Sequence, residues 1–414
     1  MLLLRLAWRN VLRNRRRTIL TLLSMVGGYI IVTLVLSVNY GSYDQMLEQY
    51  TRDSIGHVQV TADEYLDRPR LQRTLPVDES LRGQLAQAQG VRMLTPRLES
   101  GALAYGEERS LPVEVRGVEP DQEDRLSRLG NRLSAGRYLN AEPDEYGQHE
   151  ALIGARVARQ LALAPGDDLV LIAQGADGSL ANELYTVVGI LGDTEAVESR
   201  WVVLPLAAAQ DFYVLPDQAH RWIILGADFQ RAERLAASVR GSLATDAQWA
   251  DSALQVSPWQ VVAREFYETM KADQQGGMIA SYIIIFLVCI GVLNTILMSV
   301  MERIGEFGVL KAIGTPPHRL FGMIVLEALV LATLACALGF LLAWPINLWL
   351  TLVGIPMSEP IEVSGLYFSH FRGRMSWGMF AIPTALVWFT ALLVALYPAI
   401  RAARLSPLDA MRRL

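Results

Sequence analysis

The sequence contains few of the residues on which nucleotide binding, metal binding and catalysis usually depend. Only two of its 414 residues are lysines, Lys271 and Lys311, and neither lies in a G-x-x-x-x-G-K-[ST] phosphate-binding loop. The motifs H-E-x-x-H, C-x-x-C and G-x-S-x-G are also missing. We therefore expect a chain that is not itself an ATPase and that has no catalytic residue.

Cysteine and histidine are equally scarce. Both cysteines, Cys289 and Cys336, lie within apolar runs, which favours a packing role over redox or metal chemistry. The five histidines are scattered without the spacing of a metal site, at positions His57, His149, His220, His318 and His370. The sequence therefore predicts no metal ion.

Charged residues make up only 19% of the chain and are unevenly distributed. Residues 41–276 carry 22 basic and 36 acidic side chains, a net charge of −14, whereas the rest carries 15 and 6, a net charge of +9. With 52% hydrophobic residues, this split indicates membrane spans joined to an acidic soluble domain. An acidic soluble domain argues against nucleic-acid binding.

Four long apolar stretches, of which only the third is interrupted by an acid, predict four transmembrane helices. Arginines precede the first stretch and place the N-terminus in the cytoplasm by the positive-inside rule; they are Arg5, Arg9, Arg13, Arg15, Arg16 and Arg17. Apolar residues recur at helical spacing opposite Arg5, Arg9 and Arg13, which favours an amphipathic elbow helix on the inner leaflet. Plain topogenic charge is the alternative.

The predicted fold is an α-helical membrane protein with four transmembrane helices and a mixed α+β extracytoplasmic domain inserted between helices 1 and 2. The predicted boundaries are 1–17 for the cytoplasmic elbow, 18–43 for the first span, 44–275 for the extracytoplasmic domain with stalk helices, 276–300 for the second span, 301–319 for a cytoplasmic helix, 320–350 for the third span, 351–376 for an external loop, 377–400 for the fourth span and 401–414 for a cytoplasmic tail. The amphipathic flanks of the first two spans predict that each span continues as a helix above the membrane.

The 301–319 segment is a short helix of mixed charge between two spans. Its Glu302 and Glu306 are a like-charge pair one turn apart, which is unfavourable unless a partner supplies cations. Gly314 is a candidate helix C-cap before Pro316 and Pro317. We interpret the segment as a site that another protein binds, with a solvated loop as the alternative.

Within the spans, one acid and several small residues stand out. Glu327 lies in the third span, where an acid is costly; it is a candidate for an interhelical hydrogen bond, for reaching the interface, or for a proton relay. Small residues recur at every fourth position and predict close helix packing, in rows formed by Gly291, Thr295 and Ser299, by Ala335, Gly339 and Ala343, and by Ala391, Ala395 and Ala399. Ordinary membrane composition is the alternative.

Three motifs give the chain a family resemblance. They are AWRNVLRNRRRTILT near the start, ERIGEFGVLKAIGTPPHRL followed by Glu327-Ala328, and YPAIRAARLSPLDAMR near the end. In these motifs the chain resembles the FtsX/MacB/LolC-type permeases of ABC transporters, also called type VII or mechanotransmission transporters. NRLSAGRYL, ALIGARVARQLALAPGDDLVL and YTVVGIL resemble the periplasmic core domain of that family.

The resemblance implies a non-catalytic, multi-pass subunit of the bacterial inner membrane with its large domain in the periplasm. It also implies a second permease subunit, identical or related, and a cytoplasmic ABC ATPase dimer that binds ATP and Mg, so that no cofactor is expected in this chain. The 301–319 segment would be the coupling helix, with contacts from Glu302, Arg303, Glu306, Phe307, Leu310, Lys311 and Gly314.

Three functions remain open under this resemblance. The stretch RDSIGHVQVTADEYLD resembles LolC/LolE-type permeases, which implies release or transport of lipoprotein or lipid from the inner membrane. A MacB-like efflux permease would need a periplasmic adaptor instead. An FtsX-like protein would regulate an envelope hydrolase. The expected further partners are therefore membrane lipids and an adaptor, a lipoprotein or a carrier.

Overall fold

The computed structural model describes residues 15–106, 109–192, 197–250, 252–301, 305, 309–310, 313–363 and 366–404. The chain divides into two units, which are described separately. The helical unit comprises Met1–Gln45, Met270–Ser358 and Ser369–Leu414, and the mixed unit comprises Met46–Thr269 and Glu359–Phe368.

The α-helices of the described residues are, in chain order, α1 (Arg15–Tyr50), α2 (Glu79–Gln87), α3 (Pro120–Ser127), α4 (Ala155–Leu161), α5 (Leu206–Tyr213), α6 (Ala232–Thr245), α7 (Trp259–Val262), α8 (Arg264–Met301), α9 (Pro317–Leu352) and α10 (Trp377–Arg404). A π-helical turn covers Thr51–Ile55, and 3-10 turns cover Leu129–Arg132, Val197–Arg200 and Phe229–Arg231. The strands are β1 (Val58–Ala62), β2 (Leu75–Pro76), β3 (Met93–Tyr105), β4 (Ser110–Val118), β5 (Leu133–Gly136), β6 (Glu150–Gly154), β7 (Asp168–Gln174), β8 (Leu180–Leu191), β9 (Trp201–Pro205), β10 (Gln218–Ala219), β11 (Arg221–Leu225), β12 (Leu254–Pro258), β13 (Ile355–Val363) and β14 (Leu366–Phe371).

Helices α1, α8, α9 and α10 each contain a segment long and apolar enough to cross a membrane, in agreement with the four predicted spans. Helix α1 has 36 residues, or about 54 Å of helix, which exceeds the roughly 30 Å of bilayer hydrocarbon. Helix α8 has 38 residues and is longer still. Both helices therefore extend beyond the predicted spans, and Trp259–Val262 forms a separate turn before α8.

The helical unit is held together by the rows of small residues. Ala335, Ala343, Ala391, Ala395 and Ala399 are all completely buried. All of them except Ala395 belong to one apolar cluster, to which α1 contributes Met25 and Tyr29. Because a hydrophobic driving force between helices is missing in lipid, such rows stabilise the bundle by allowing close van der Waals contact. The predicted role of the rows on α9 and α10 is confirmed.

In the mixed unit, ten of the described strands form one sheet. Nine of them follow the order β12-β1-β11-β3-β4-β9-β6-β8-β5, and the tenth, β7, pairs with both β3 and β8. These pairings close a ring of six strands, β3-β4-β9-β6-β8-β7. Most pairs are antiparallel, but β4 with β9 and β6 with β8 are parallel. Strand β3 is 13 residues long and joins the ring to β11, β1 and β12.

The two largest apolar cores of the mixed unit lie in its two halves. The ring core is filled by strand residues such as Val115 and Leu171, and α5 adds Phe212 to it. The second core lies between β1, β11 and β12 and helices α2 and α6, with Trp222 fully buried in it. Burial of a large aromatic side chain is worth several kcal/mol in such a core, so both halves of the unit have a hydrophobic core of their own.

Local patterns predicted several elements well and missed others. β-Branched residues predict a strand at Arg221–Leu225, and helical spacing predicts a helix at Glu79–Gln89. Both are found, with the helix ending at Gln87. Alternating residues predict a further strand at Ile55–Thr61, which begins only at Val58 because Ile55 belongs to the π-helical turn. The external loop expected at 351–376 contains the two paired strands β13 and β14.

Candidate functional site

The 301–319 segment is described at residues 301, 305, 309–310 and 313–319. Gly314 has φ +98°, and the Thr315 N–H donates to the Leu310 carbonyl at 3.1 Å. A hydrogen bond that spans six residues, with a glycine of positive φ just before the donor, is the Schellman motif that ends a helix. The sequence-based C-cap at Gly314 therefore has the geometry it requires, and Pro316 precedes the start of α9.

The described part of this segment exposes apolar side chains. Val309 is 44% exposed, Leu310 36% and Ile313 78%. Val309 and Ile313 are four residues apart and therefore share a helix face. The remaining predicted contacts, Glu302, Arg303, Glu306, Phe307 and Lys311, lie outside the described residues.

The other predicted membrane residues are only partly described. Glu327 is buried, with 8% of its surface exposed, so its side chain does not extend into open surroundings. Arg16 is exposed at the start of α1, whereas of Arg15 and Arg17 only the helical backbone is described. Arg5, Arg9 and Arg13, and with them the elbow helix, lie outside the described residues.

Tyr29 on α1 contacts both α9 and α10, which the sequence did not predict. Its side chain is 1% exposed, and its hydroxyl donates to the Phe380 carbonyl at 3.2 Å and lies 3.3 Å from the Thr384 hydroxyl. On the other side a Cβ added at Gly339 would lie 2.7 Å from the tyrosine ring. Glycine at 339 therefore lets α9 approach α1, and the hydroxyl joins α1 to α10.

A second contact fixes the later part of α1 to the segment that precedes α10. The Ser37 hydroxyl and backbone carbonyl exchange hydrogen bonds with the Arg374 backbone, each at 3.0 Å. Arg374 Nη1 also lies 2.7 Å from Asp44 Oδ2. A Cβ at Gly41 would lie 2.3 Å from the Arg372 carbonyl oxygen, so only glycine permits this approach.

Helix α8 contacts α1 through fewer polar groups. The Tyr43 hydroxyl donates to Asp273 Oδ2 at 2.5 Å, and a Cβ at Gly28 would lie 2.4 Å from Val288. Within the apolar stretch of α8, which lies in Arg264–Gly291, only 6% is buried. The helix therefore leaves a broad apolar surface, as expected for a face in contact with lipid or another membrane helix.

In the mixed unit, two arginines clamp the π-helical turn Thr51–Ile55, which directly follows α1. Arg97 on β3 donates to the Ser54 carbonyl and forms a bidentate pair with Glu123 on α3, with Nε–Oε2 at 2.9 Å and Nη2–Oε1 at 2.6 Å. Both side chains of the pair are under 5% exposed. We call this set of contacts, together with those of Arg132, the π-turn clamp.

Arg132 completes the π-turn clamp through Asp53, the residue before Ser54. Its Nη2 lies 3.1 Å from Asp53 Oδ2 and donates to the Asp53 carbonyl at 3.3 Å. Its Nη1 lies 3.7 Å from the buried Glu198. Burial raises the pKa of Asp53, and the nearby Arg132 charge opposes that rise. Backbone carbonyls bound by charged, buried donors hold the turn rigidly to the sheet.

Comparison with known proteins identifies the class. The model of the MacB-like periplasmic core domain matches residues 18–242, and the model of the FtsX-like permease C-terminal region matches residues 278–407. The first match covers more than half of the chain. The chain therefore belongs to the family of ABC-transporter permeases that combine a MacB-like periplasmic core domain with an FtsX-like permease region. The family resemblance inferred from the sequence is confirmed.

Individual relatives place the chain within this family. It is 22% identical over 420 residues to the lipoprotein-releasing system transmembrane protein LolC of Neisseria meningitidis serogroup B, covering 97% of this chain and 95% of LolC. It is 23% identical to LolE of Haemophilus influenzae, covering 80% and 79%. It is 25% identical to the macrolide export ATP-binding/permease protein MacB of Neisseria meningitidis serogroup A, covering 98% of this chain but 60% of MacB.

Proposed function

We propose that this chain is the membrane subunit through which a separate ATPase dimer moves a periplasmic domain, and that it releases lipoprotein or lipid from the bacterial inner membrane. Similarity to LolC over nearly the whole length of both chains supports the lipoprotein assignment. Similarity to MacB, of which the chain covers 60%, favours the efflux permease with an adaptor as second candidate.

In this proposal residues 44–275 are the periplasmic domain, inserted between the spans at 18–43 and 276–300. The chain pairs with a second permease subunit, ATP and Mg are bound by the ATPase, and residues 301–319 are the coupling helix. The observation that carries the proposal is the exposed apolar face of Val309 and Ile313 on a helix that is capped at Gly314. Exposed apolar side chains between two spans indicate a protein contact, because leaving apolar surface in water is unfavourable.

The proposal also gives the π-turn clamp a function. The clamp holds the five residues that follow α1, so a displacement of α1 would reach β3 and α3 through Arg97 and Arg132. A buried bidentate pair resists such a displacement better than exposed side chains, since breaking it leaves a charge without a partner. We therefore infer that the clamp passes motion from the first span to the core domain.

The experiment that tests the coupling helix is a charge reversal. In the complex with its ATPase, Glu306→Lys should abolish co-purification or substrate-linked ATP turnover, because it reverses a charge at the proposed contact. Ile313→Asp should weaken the same contact by removing an exposed apolar anchor. Glu145→Lys, the same charge change on an exposed loop of the mixed unit, is the matched control. Wild-type turnover in Glu306→Lys would refute the coupling role.

A second experiment separates the candidate substrates. If the chain releases lipid-modified proteins, depletion should leave outer-membrane lipoproteins in the inner membrane, and the purified complex should carry acyl chains detectable by mass spectrometry. Normal lipoprotein sorting together with increased sensitivity to exported drugs would favour the efflux permease. A co-purified hydrolase without either effect would favour a regulator.

A further inference from the structure

A cavity of about 440 Å³ lies in the mixed unit where the chain leaves β11. Its apolar wall includes Phe229, which is buried, and its polar groups are Glu48, Arg52, His57, Arg92 and Asp228. Four of these five side chains carry charge, which is unusual for a gap left by imperfect packing. The cavity shares Arg52 with the π-helical turn Thr51–Ile55, but Arg97, Glu123 and Arg132 of the π-turn clamp do not line it.

His57 presents one hydrogen-bond donor to this cavity. The side chain is 5% exposed, and its Nδ1 accepts the Gly226 N–H at 3.1 Å. Because a backbone N–H can only donate, the neutral ring must carry its proton on Nε2. Burial lowers the pKa of His57 to about 4, so the neutral form predominates at pH 7. Nε2 has no hydrogen-bond partner among the residues that the structure describes.

Two arginines face the same space without an ion pair in the described part of the chain. Arg52 is half-buried, and its Nε is completely buried without a hydrogen-bond partner. Arg92 is exposed at the rim, and its backbone is fixed by a bond from its N–H to the Leu225 carbonyl at 2.9 Å. A buried guanidinium donor without an acceptor is unfavourable in a finished core. An oxyanion would satisfy Arg52, Arg92 and His57 Nε2 together.

Two carboxylates line the cavity as well. Asp228 lies close enough to His57 to oppose the lowering of its pKa, and one Asp228 oxygen caps the following turn by accepting from the Gln230 N–H. Glu48 is exposed at the rim. The two carboxylates and the two guanidinium groups leave the lining without net charge, and Asp228 Oδ2 also lies 3.8 Å from Nε of the exposed Arg231. A zwitterion matches both signs of this lining, whereas a plain anion would leave Glu48 without a cation.

We propose that this cavity binds a phosphoethanolamine group, with its phosphate on Arg52, Arg92 and the His57 Nε2–H and its ammonium near Glu48 and Asp228. A phosphoethanolamine group has eight non-hydrogen atoms and fits within the cavity together with water. The group could belong to a phospholipid or to a soluble phosphodiester. Glu48 follows the predicted end of the first span at Tyr43 by five residues, and a chain of that length reaches at most about 18 Å, which keeps the cavity within reach of lipid headgroups.

The test uses the full chain, purified in detergent and freed of lipid, titrated calorimetrically with glycerophosphoethanolamine. We expect saturable binding, weaker binding of glycerophosphocholine and glycerol phosphate, and a loss of about tenfold or more in affinity in Arg52→Gln and Arg92→Gln. Arg92→Gln changes an exposed residue and keeps the test valid if Arg52→Gln fails to fold. Arg156→Gln, an exposed arginine on α4, is the matched control.

The source of the group is distinguished in nanodiscs. Hydrogen exchange of residues 57–62 and 225–229 is compared between discs that contain phosphatidylethanolamine and discs that contain phosphatidylcholine. Protection in the former alone indicates the lipid headgroup, and protection only after adding glycerophosphoethanolamine indicates a soluble ligand. Absence of saturable binding, or equal affinity in the wild type and in the variant carrying both arginine substitutions, would overturn the proposal.

Discussion

Replacing the buried Arg97–Glu123 pair with apolar residues should leave the protein folded but reduce the coupling of ATP turnover to the core domain. Arg97→Met alone leaves Glu123 buried without its cation, and breaking a buried pair in this way costs about 3–5 kcal/mol. Arg97→Met combined with Glu123→Leu removes both charges. Because such replacement of a whole buried pair is often neutral, only the bond to the Ser54 carbonyl is lost, at about 1 kcal/mol.

The assay has two parts. Thermal unfolding of the full chain should show the single variant clearly destabilised and the double variant near the wild type. Substrate-linked ATP turnover of the assembled transporter should be reduced in the double variant, because one of the two arginines that hold the π-helical turn is missing. Arg137→Met with Glu150→Leu removes another bidentate pair, whose arginine side chain is 60% exposed, and it should leave turnover unchanged.

Two results would refute this reasoning. A stable Arg97→Met variant would show that the pair does not behave as a buried ion pair. Normal turnover in a folded Arg97→Met, Glu123→Leu protein would show that motion does not pass through Arg97. Arg132→Met, tested in the same turnover assay, then decides whether motion passes through the contacts of Arg132 with Asp53 instead.

Two further predictions concern packing and pH. Gly339→Leu should destabilise the detergent-solubilised chain by about 1–3 kcal/mol, because its Cβ would overlap the Tyr29 ring. Gly322→Leu on the same helix, where a Cβ would have no neighbour within 4 Å, should not destabilise it. Equal melting temperatures of the two variants would contradict the contact between Gly339 and Tyr29. The pKa of His57 is lowered from 6.5 to about 4 by burial. Its contribution to stability is therefore fully present above pH 6.5 and falls by about 3 kcal/mol as pH drops to 4, because the unfolded chain takes up the proton at a higher pH than the folded protein does. His57→Gln should flatten that pH dependence of thermal unfolding, and an unchanged slope would contradict the burial of a neutral ring.

The features that the sequence predicted are those with a local signal. An uncharged run long enough to span a bilayer identifies α1, α8, α9 and α10 without knowledge of their neighbours. The spacing of Ala335, Gly339 and Ala343 identifies a packing face in the same way. The family motif around Gly314 located the helix end, because glycine before proline is itself a stop signal.

The features that the sequence did not predict depend on partners that are distant along the chain. Tyr29 meets Thr384 across 355 positions, and Arg132 meets Asp53 across 79. Neither residue differs from its sequence neighbours in a way that a periodicity or a motif would reveal. The charged lining of the cavity is another such case, since His57 and Arg92 come together only through the pairing of β1 with β11 and of β11 with β3.

The π-helical turn at Thr51–Ile55 also fixes the rotation between residues 46–50, the end of α1 within the mixed unit, and strand β1 of the same unit. A π-turn holds more residues than an α-turn, and the Gly56 N–H reaches back five residues to the Thr51 carbonyl at 2.6 Å. Deleting one residue here would rotate β1 by about 100° relative to residues 46–50. Strand β1 is buried along its first four residues, on both faces, so it could not absorb that rotation by slipping in register. Insertions and deletions should therefore be tolerated far less at this turn than in the exposed loops of the same unit.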